Sequence, residues 1–121
     1  MGAFVRGEVV VLPFPFSDAR KNRRRPALIL ACSGSYSDLI VCMITGVKRL
    51  TTPVETDFSV EITDADFAKG QLRQAKSFVR PDRLFTAMAN EVRVIGSLQP
   101  SKMDEVMNQV ALIFGFRKDQ T

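Results

Sequence analysis

From Gly7 to Leu30 the chain reads GEVVVLPFPFSDARKNRRRPALIL. Its opening, Gly7 to Phe16, is rich in β-branched and aromatic residues and predicts a strand. Pro13 and Pro15 each remove a ladder donor, so the second half of that strand lies on an edge or bends away. Ser17-Asp18-Ala19 open a polar loop that runs to Arg25. Pro26 to Cys32 (PALILAC) is again short and apolar, a buried strand, and Ser33-Gly34-Ser35 makes a turn. Two apolar strands separated by a cationic loop therefore open the fold.

The same pattern continues outward. Asp38 to Thr45 (DLIVCMIT) is a further apolar strand ended by Gly46, and Asp57 to Ile62 alternates faces. Thr63-Asp64-Ala65-Asp66 resembles a helix N-terminus with Gly70 as a stop, which predicts one or two helical turns. Gln71 to Val79 and Glu91 to Ile95 complete the strands, the last ended by Gly96. Ser101 is expected to cap a helix with Asp104 and Glu105 in its first turn. Met103, Val106, Met107, Val110, Ile113 and Phe114 recur at helical spacing before Gly115 stops it. The expected fold is α+β, mainly β: five or six mostly antiparallel strands in a small, partly closed barrel. A short inserted helix and an amphipathic C-terminal helix complete it. Residues 1–121 form one domain, with no repeat or linker.

Composition narrows the chemistry. The 121 residues carry 17 Lys and Arg against 13 Asp and Glu, a net of +4, and no histidine. Nucleophile systems built on Ser-His-Asp or Cys-His are thereby excluded, and two cysteines alone cannot complete a four-ligand zinc site. The charge is concentrated. Arg20 to Arg25 holds five positive charges in six residues; Lys69 to Arg83 holds five against Asp82 alone, a net of +4; the remainder is then +4 − 5 − 4 = −5. Cys32 and Cys42 sit among apolar residues and are expected as free thiols. The first residues lack a secretory h-region and no segment approaches the ~20 apolar residues of a membrane span, so a cytoplasmic, membrane-free protein is expected.

The order of these segments resembles the PemK/MazF family. The likeness rests on Arg6-Gly7-Glu8 leading into the Pro-Phe-Pro-Phe strand, the basic loop, Arg25-Pro26-Ala27, and Val41-Cys42-Met43-Ile44-Thr45. It extends over Lys76-Ser77-Phe78-Val79-Arg80-Pro81-Asp82-Arg83-Leu84-Phe85 and the C-terminal helix. The resemblance implies a CcdB/PemK-type barrel, a homodimer, and the toxin half of a toxin–antitoxin pair whose complex binds DNA. It also implies a sequence-preferring, metal-independent endoribonuclease that needs no cofactor. Its cleavage is by attack of the 2′-hydroxyl on the adjacent phosphate. The family's catalytic arginine and threonine then fall on Arg25 and Thr45.

That assignment has a chemical rationale. In-line attack on a phosphodiester builds charge on the non-bridging oxygens, which a planar guanidinium can grip in a fork while a threonine hydroxyl adds another donor. A guanidinium is a poor proton acceptor, so Glu8 at the mouth of the first strand is the carboxylate alternative as base, if it is not simply a solvated strand-start acid. Arg20, Lys21, Arg23 and Arg24 are candidate RNA contacts from the loop. Phe14 and Phe16 share a face, suited to core packing or, for Phe16, to stacking on a single-stranded base. Lys76, Ser77 and Arg80 are candidate backbone contacts.

Single-stranded RNA and an antitoxin with a disordered acidic segment are the expected partners. Two other readings stay open: an inhibitor of DNA gyrase of the same fold, in which Phe114 to Lys118 would matter more than Arg25, and a barrel that binds nucleic acid without cutting it.

Overall fold

The computed structural model describes residues 4–13, 24–33, 37–46 and 58–116. Among the described residues seven strands occur in chain order: β1 (Glu8–Pro13), β2 (Arg24–Ser33), β3 (Asp38–Thr45), β4 (Val60–Thr63), β5 (Phe67–Gly70), β6 (Lys76–Met88) and β7 (Arg93–Leu98). One helix, α1 (Pro100–Ile113), follows. All pairings are antiparallel, and the strands lie in the order β4-β6-β3-β2-β1-β7-β5. The two outermost strands, β4 and β5, are consecutive in the chain and joined by a 3₁₀ turn over Asp64–Asp66. That short link draws the sheet's two edges together, and the result is the nearly closed barrel expected from the sequence.

Several boundaries differ from the sequence expectation, each for a local reason. The inserted helix is only the 3₁₀ turn, held by Asp66 Oδ2 accepting from the Thr63 backbone N–H at 2.8 Å. Residues 67–70 then form β5, because pairing with β7 is available to them. This raises the strand count to seven. Gly96 lies inside β7 and does not end it. A Cβ on Gly96 would stand 2.6 Å from the Lys69 carbonyl oxygen, and Gly70, at φ +70°, meets the same crossing from the other side. Two glycines let β5 and β7 cross backbone to backbone.

Strand β6 runs nine residues past the expected end. Its ladder with β3 breaks between Met43↔Arg80 and Cys42↔Leu84, leaving Pro81 to Arg83 in a bulge where the missing proline N–H costs nothing. Helix α1 starts one residue before Ser101: Gln99 is the N-cap and Pro100 opens the first turn, which its fixed φ suits. Asp104 and Glu105 consequently fall beyond that turn. Gly115, at φ +77°, ends the helix by donating to the Leu112 carbonyl at 3.0 Å.

Alternation along the strands buries both faces of the sheet. Val9, Leu28, Leu30, Cys42, Ile44, Ile62 and Val79 fill the barrel beneath α1, which contributes Met103 and Val106. Val10, Leu12, Ala27, Ile29, Leu39 and Val41 form a second cluster on the opposite face, flanked by Met43, Phe85 and Val92. Cys42 is a buried free thiol and Cys32 an exposed one. Burial, with Asp82 nearby, pushes the Cys42 thiol up to about 12. Among the described residues no helix is long and apolar enough to cross a membrane.

Candidate functional site

The ends of β1 and β3 meet the starts of β2 and β6 at one end of the barrel, where β4 pairs with β6. Strand β2 enters at Arg24-Arg25-Pro26, antiparallel to the end of β1, with Leu12 opposite Arg25 and Pro13 opposite Arg24. Pro26 confines its predecessor to extended backbone, so Arg25 emerges in line with the strand rather than loosely from the loop. Strand β3 ends at Thr45 on the far side of β2. Their ladder is paired as far as Ala27↔Met43, and two more residues at the same register set Arg25 opposite Thr45. Across β3 the next partner of Thr45 is Phe78 on β6, and Phe78 in turn faces Glu61 on β4. Directly opposed residues share a face of the sheet, so Leu12, Arg25, Thr45, Phe78 and Glu61 form one row across five strands.

A cleft of about 490 Å³ opens at this end of the barrel. Its lining includes Arg24, Arg25 and Pro26 from β2, Ile44, Thr45 and Gly46 from the end of β3, Ser77 from β6, and Arg73 and Gln74 from the connection before β6. Val11, Leu72 and Ile95 add apolar surface to the lining. Three arginines thus line a pocket whose other polar residues are a threonine, a serine and a glutamine. Such a lining favours an anion, and the donor forks of arginine match phosphate oxygens. All the ionisable side chains among the described lining residues are arginines, so these residues supply positive charge and no carboxylate for proton transfer.

The structure brings some of the expected residues together and separates others. Arg24, Arg25, Thr45 and Ser77 all line the cleft, Ser77 as a buried residue at 4% exposure. Glu8 stands at the other end of β1, opposite Ser97, where its carboxylate accepts from the Val5 N–H at 2.9 Å. That position makes it a local turn anchor remote from Arg25. Arg80 faces Met43 and points its guanidinium to Asp82 at 3.1 and 3.2 Å. Lys76 pairs at 4.0 Å with Glu61, and both side chains are more than half exposed. Neither Arg80 nor Lys76 lines the cleft. Phe14, Phe16, Arg20, Lys21 and Arg23 lie outside the described residues.

Two cleft residues were not singled out from the sequence. Arg73 lies in the second cationic segment and was distinguishable there only by its charge. Gln74 carries no signal of its own; it is a neutral residue in the connection between β5 and β6. Its place is set by Gly46, on which a Cβ would overlap the Gln74 side-chain oxygen and stand 2.6 Å from its Cδ.

Comparison with known proteins converges on one family. The family model for the PemK-like, MazF-like toxin of type II toxin–antitoxin systems matches residues 5–114. No curated protein sequence matches the chain significantly. Among solved structures, an endoribonuclease in complex with its cognate antitoxin from a mycobacterial species superposes with a TM-score of 0.69 at 18% identity, covering 95% of this chain and 98% of that one. A MazE-MazF structure from Deinococcus radiodurans gives 0.66 at 18% identity, covering 93% and 95%. The Mycobacterium tuberculosis toxin MazF-mt6 gives 0.63 at 18% identity, covering 91% and 98%. Those likenesses establish the barrel, and the sequence match carries the lineage: this chain belongs to the PemK-like, MazF-like toxin family of type II toxin–antitoxin systems.

Proposed function

We propose that this protein is the toxin of a toxin–antitoxin pair and that it cleaves single-stranded RNA with sequence preference at the cleft bounded by Arg25 and Thr45. The observation that carries this reading is the convergence of Arg24, Arg25, Thr45 and Arg73 on one cleft at the barrel's end. In the reaction, the 2′-oxygen attacks its neighbouring phosphorus and the bond from phosphorus to the 5′-oxygen breaks. The products are a 2′,3′-cyclic phosphate and a 5′-hydroxyl; the 2′-hydroxyl gives up a proton and the leaving 5′-oxygen takes one up. Arg25 and Thr45 hold the charge that builds on the non-bridging oxygens. Arg24 and Arg73 bind flanking phosphates. No metal or cofactor is required by this scheme.

The same cationic cleft suits an antitoxin segment rich in acidic residues, which would compete with RNA for it. This reading has the toxin working as a homodimer in the cytoplasm. The test is incubation of the purified protein with long single-stranded RNA in the presence of EDTA. Discrete fragments with 5′-hydroxyl ends are expected, and RNA that is bound yet stays intact would sink the proposal.

One observation favours a second reading. Phe114 and Phe116 at the end of α1 are 68% and 72% exposed, a pair of aromatic anchors at the position where a protein-binding inhibitor of gyrase would carry its contacts. A gyrase supercoiling assay separates the two: inhibition abolished by Phe114→Ala and Phe116→Ala, without RNA cleavage, would replace the nuclease reading.

A further inference from the structure

The polar residues that line the cleft differ in chemistry. Arg24, Arg25 and Arg73 are donors only, whereas Gln74 alone places a carbonyl acceptor and an amino donor side by side on one rigid plane. A base edge presents that same pairing, and a phosphate does not. Gln74 is exposed to solvent, yet its terminal amide lies over Gly46, at the space a side chain there would occupy. Gly46 immediately follows Thr45. A base read by this amide therefore belongs to a nucleotide flanking the phosphate that Thr45 meets.

We infer that Gln74 is a specificity-determining residue, hydrogen-bonding the edge of a base next to the scissile phosphate, and that Gly46 keeps the space it needs. This rests on the ribonuclease reading of the same cleft. Gly46 does not have a positive φ, and the three atoms nearest to an alanine Cβ there all belong to the far end of the Gln74 side chain. Gly46→Ala thus displaces the amide while leaving Gln74 in the sequence.

The experiment is cleavage of a single-stranded RNA pool randomised around the cut, with fragment ends sequenced for wild type, Gln74→Ala and Gly46→Ala. Gln74→Ala removes an exposed side chain, and its melting temperature should match that of wild type. The expected result is a loss of about fivefold to hundredfold in discrimination at one position beside the cut, the span of a single two-point base contact. Preferences elsewhere should persist, and Gly46→Ala should lose discrimination at the same position. Unchanged preference in Gln74→Ala, or an equal fall in rate for every sequence, overturns the inference while leaving the nuclease reading intact. A wild-type protein that cuts no RNA overturns both.

Discussion

Thr45 stands directly opposite Phe78 on the neighbouring strand, with Arg25 at the corresponding level on its other side. Side chains so placed lie roughly 5 Å apart at Cβ and share a face. The half-buried Phe78 therefore flanks the threonine on one side and Arg25 flanks it on the other. Catalysis that relies on preorganised donors needs this kind of confinement. Thr45→Ala should lower single-turnover RNA cleavage by about a hundredfold, the scale of losing one transition-state donor, with little change in RNA affinity. Thr45→Ser keeps the hydroxyl and should recover much of the rate. Equal rates for Thr45→Ala and wild type would remove Thr45 from the reaction.

Phosphate contacts make affinity depend on salt in proportion to their number. For single strands the slope of log affinity against log salt changes by about 0.7 for each phosphate neutralised. Arg24 and Arg73 both line the cleft, so Arg24→Gln and Arg73→Gln should each flatten the slope by about that amount. Arg80→Gln should leave it nearly unchanged, because its guanidinium is bound to Asp82 outside the cleft. Binding titrations at several salt concentrations measure this directly.

The contrast between Arg73 and Arg80 also marks how far the sequence could be read. Both sit in the same cationic segment, and nothing in local composition says which of them turns toward Arg25. Arg25 itself was legible, because Pro26 pins it at the head of an apolar strand. The main strands and α1 were legible from their apolar periodicity. Strand β5 was not: Phe67–Gly70 is short and carries no alternation, and it becomes a strand only because β7 offers it a partner. The far half of β6 was hidden for a similar reason, since Pro81 reads as a break and only the bulge opposite Cys42 accommodates it. The position of Gln74 depends on a space left by Gly46 in a different strand, a tertiary fact with no local signature.

The β5–β7 crossing offers a stability test independent of function. A Cβ on Gly70 would overlap the Ile95 carbonyl oxygen and stand 2.9 Å from the Gly96 Cα, both backbone atoms that cannot rotate away. Its φ of +70° adds strain for any other residue. Gly70→Ala should therefore cost roughly 2–4 kcal/mol and lower the melting temperature by about 10 °C. Gly46→Ala, whose nearest obstacle is the movable end of the Gln74 side chain, should cost far less. Similar melting temperatures for the two variants would show that the crossing can relax.

Lys102 fastens the seam where the barrel's edges meet. Its ammonium donates to Glu105 Oε1 at 3.0 Å and to the Glu61 backbone carbonyl at 3.3 Å, with Asp66 Oδ1 at 3.8 Å. It thereby ties α1 to β4 and to the turn before β5. Burial acts to lower its pKa, but the Glu105 hydrogen bond and the charges of Asp66, Glu105 and Glu61 outweigh that and hold it above its ordinary 10.5. A basic group raised in the folded state contributes stability that is fully present below its unfolded value and is lost as pH climbs through the folded one. Lys102→Met should therefore be less stable than wild type at neutral pH, by about 1 kcal/mol, and the gap should narrow above pH 10.5. The Cys42 thiol acts in the same direction from a lower starting point: raised from 9.0 to about 12, it withdraws stability as pH rises past 9. Cys42→Val should remove the part of the alkaline loss that begins near pH 9, and Lys102→Met the part that begins near 10.5. Denaturant titrations between pH 7 and 11 resolve the two onsets, and a gap between wild type and Lys102→Met that stays constant across that range would rule out the ammonium's charge as the source of its contribution.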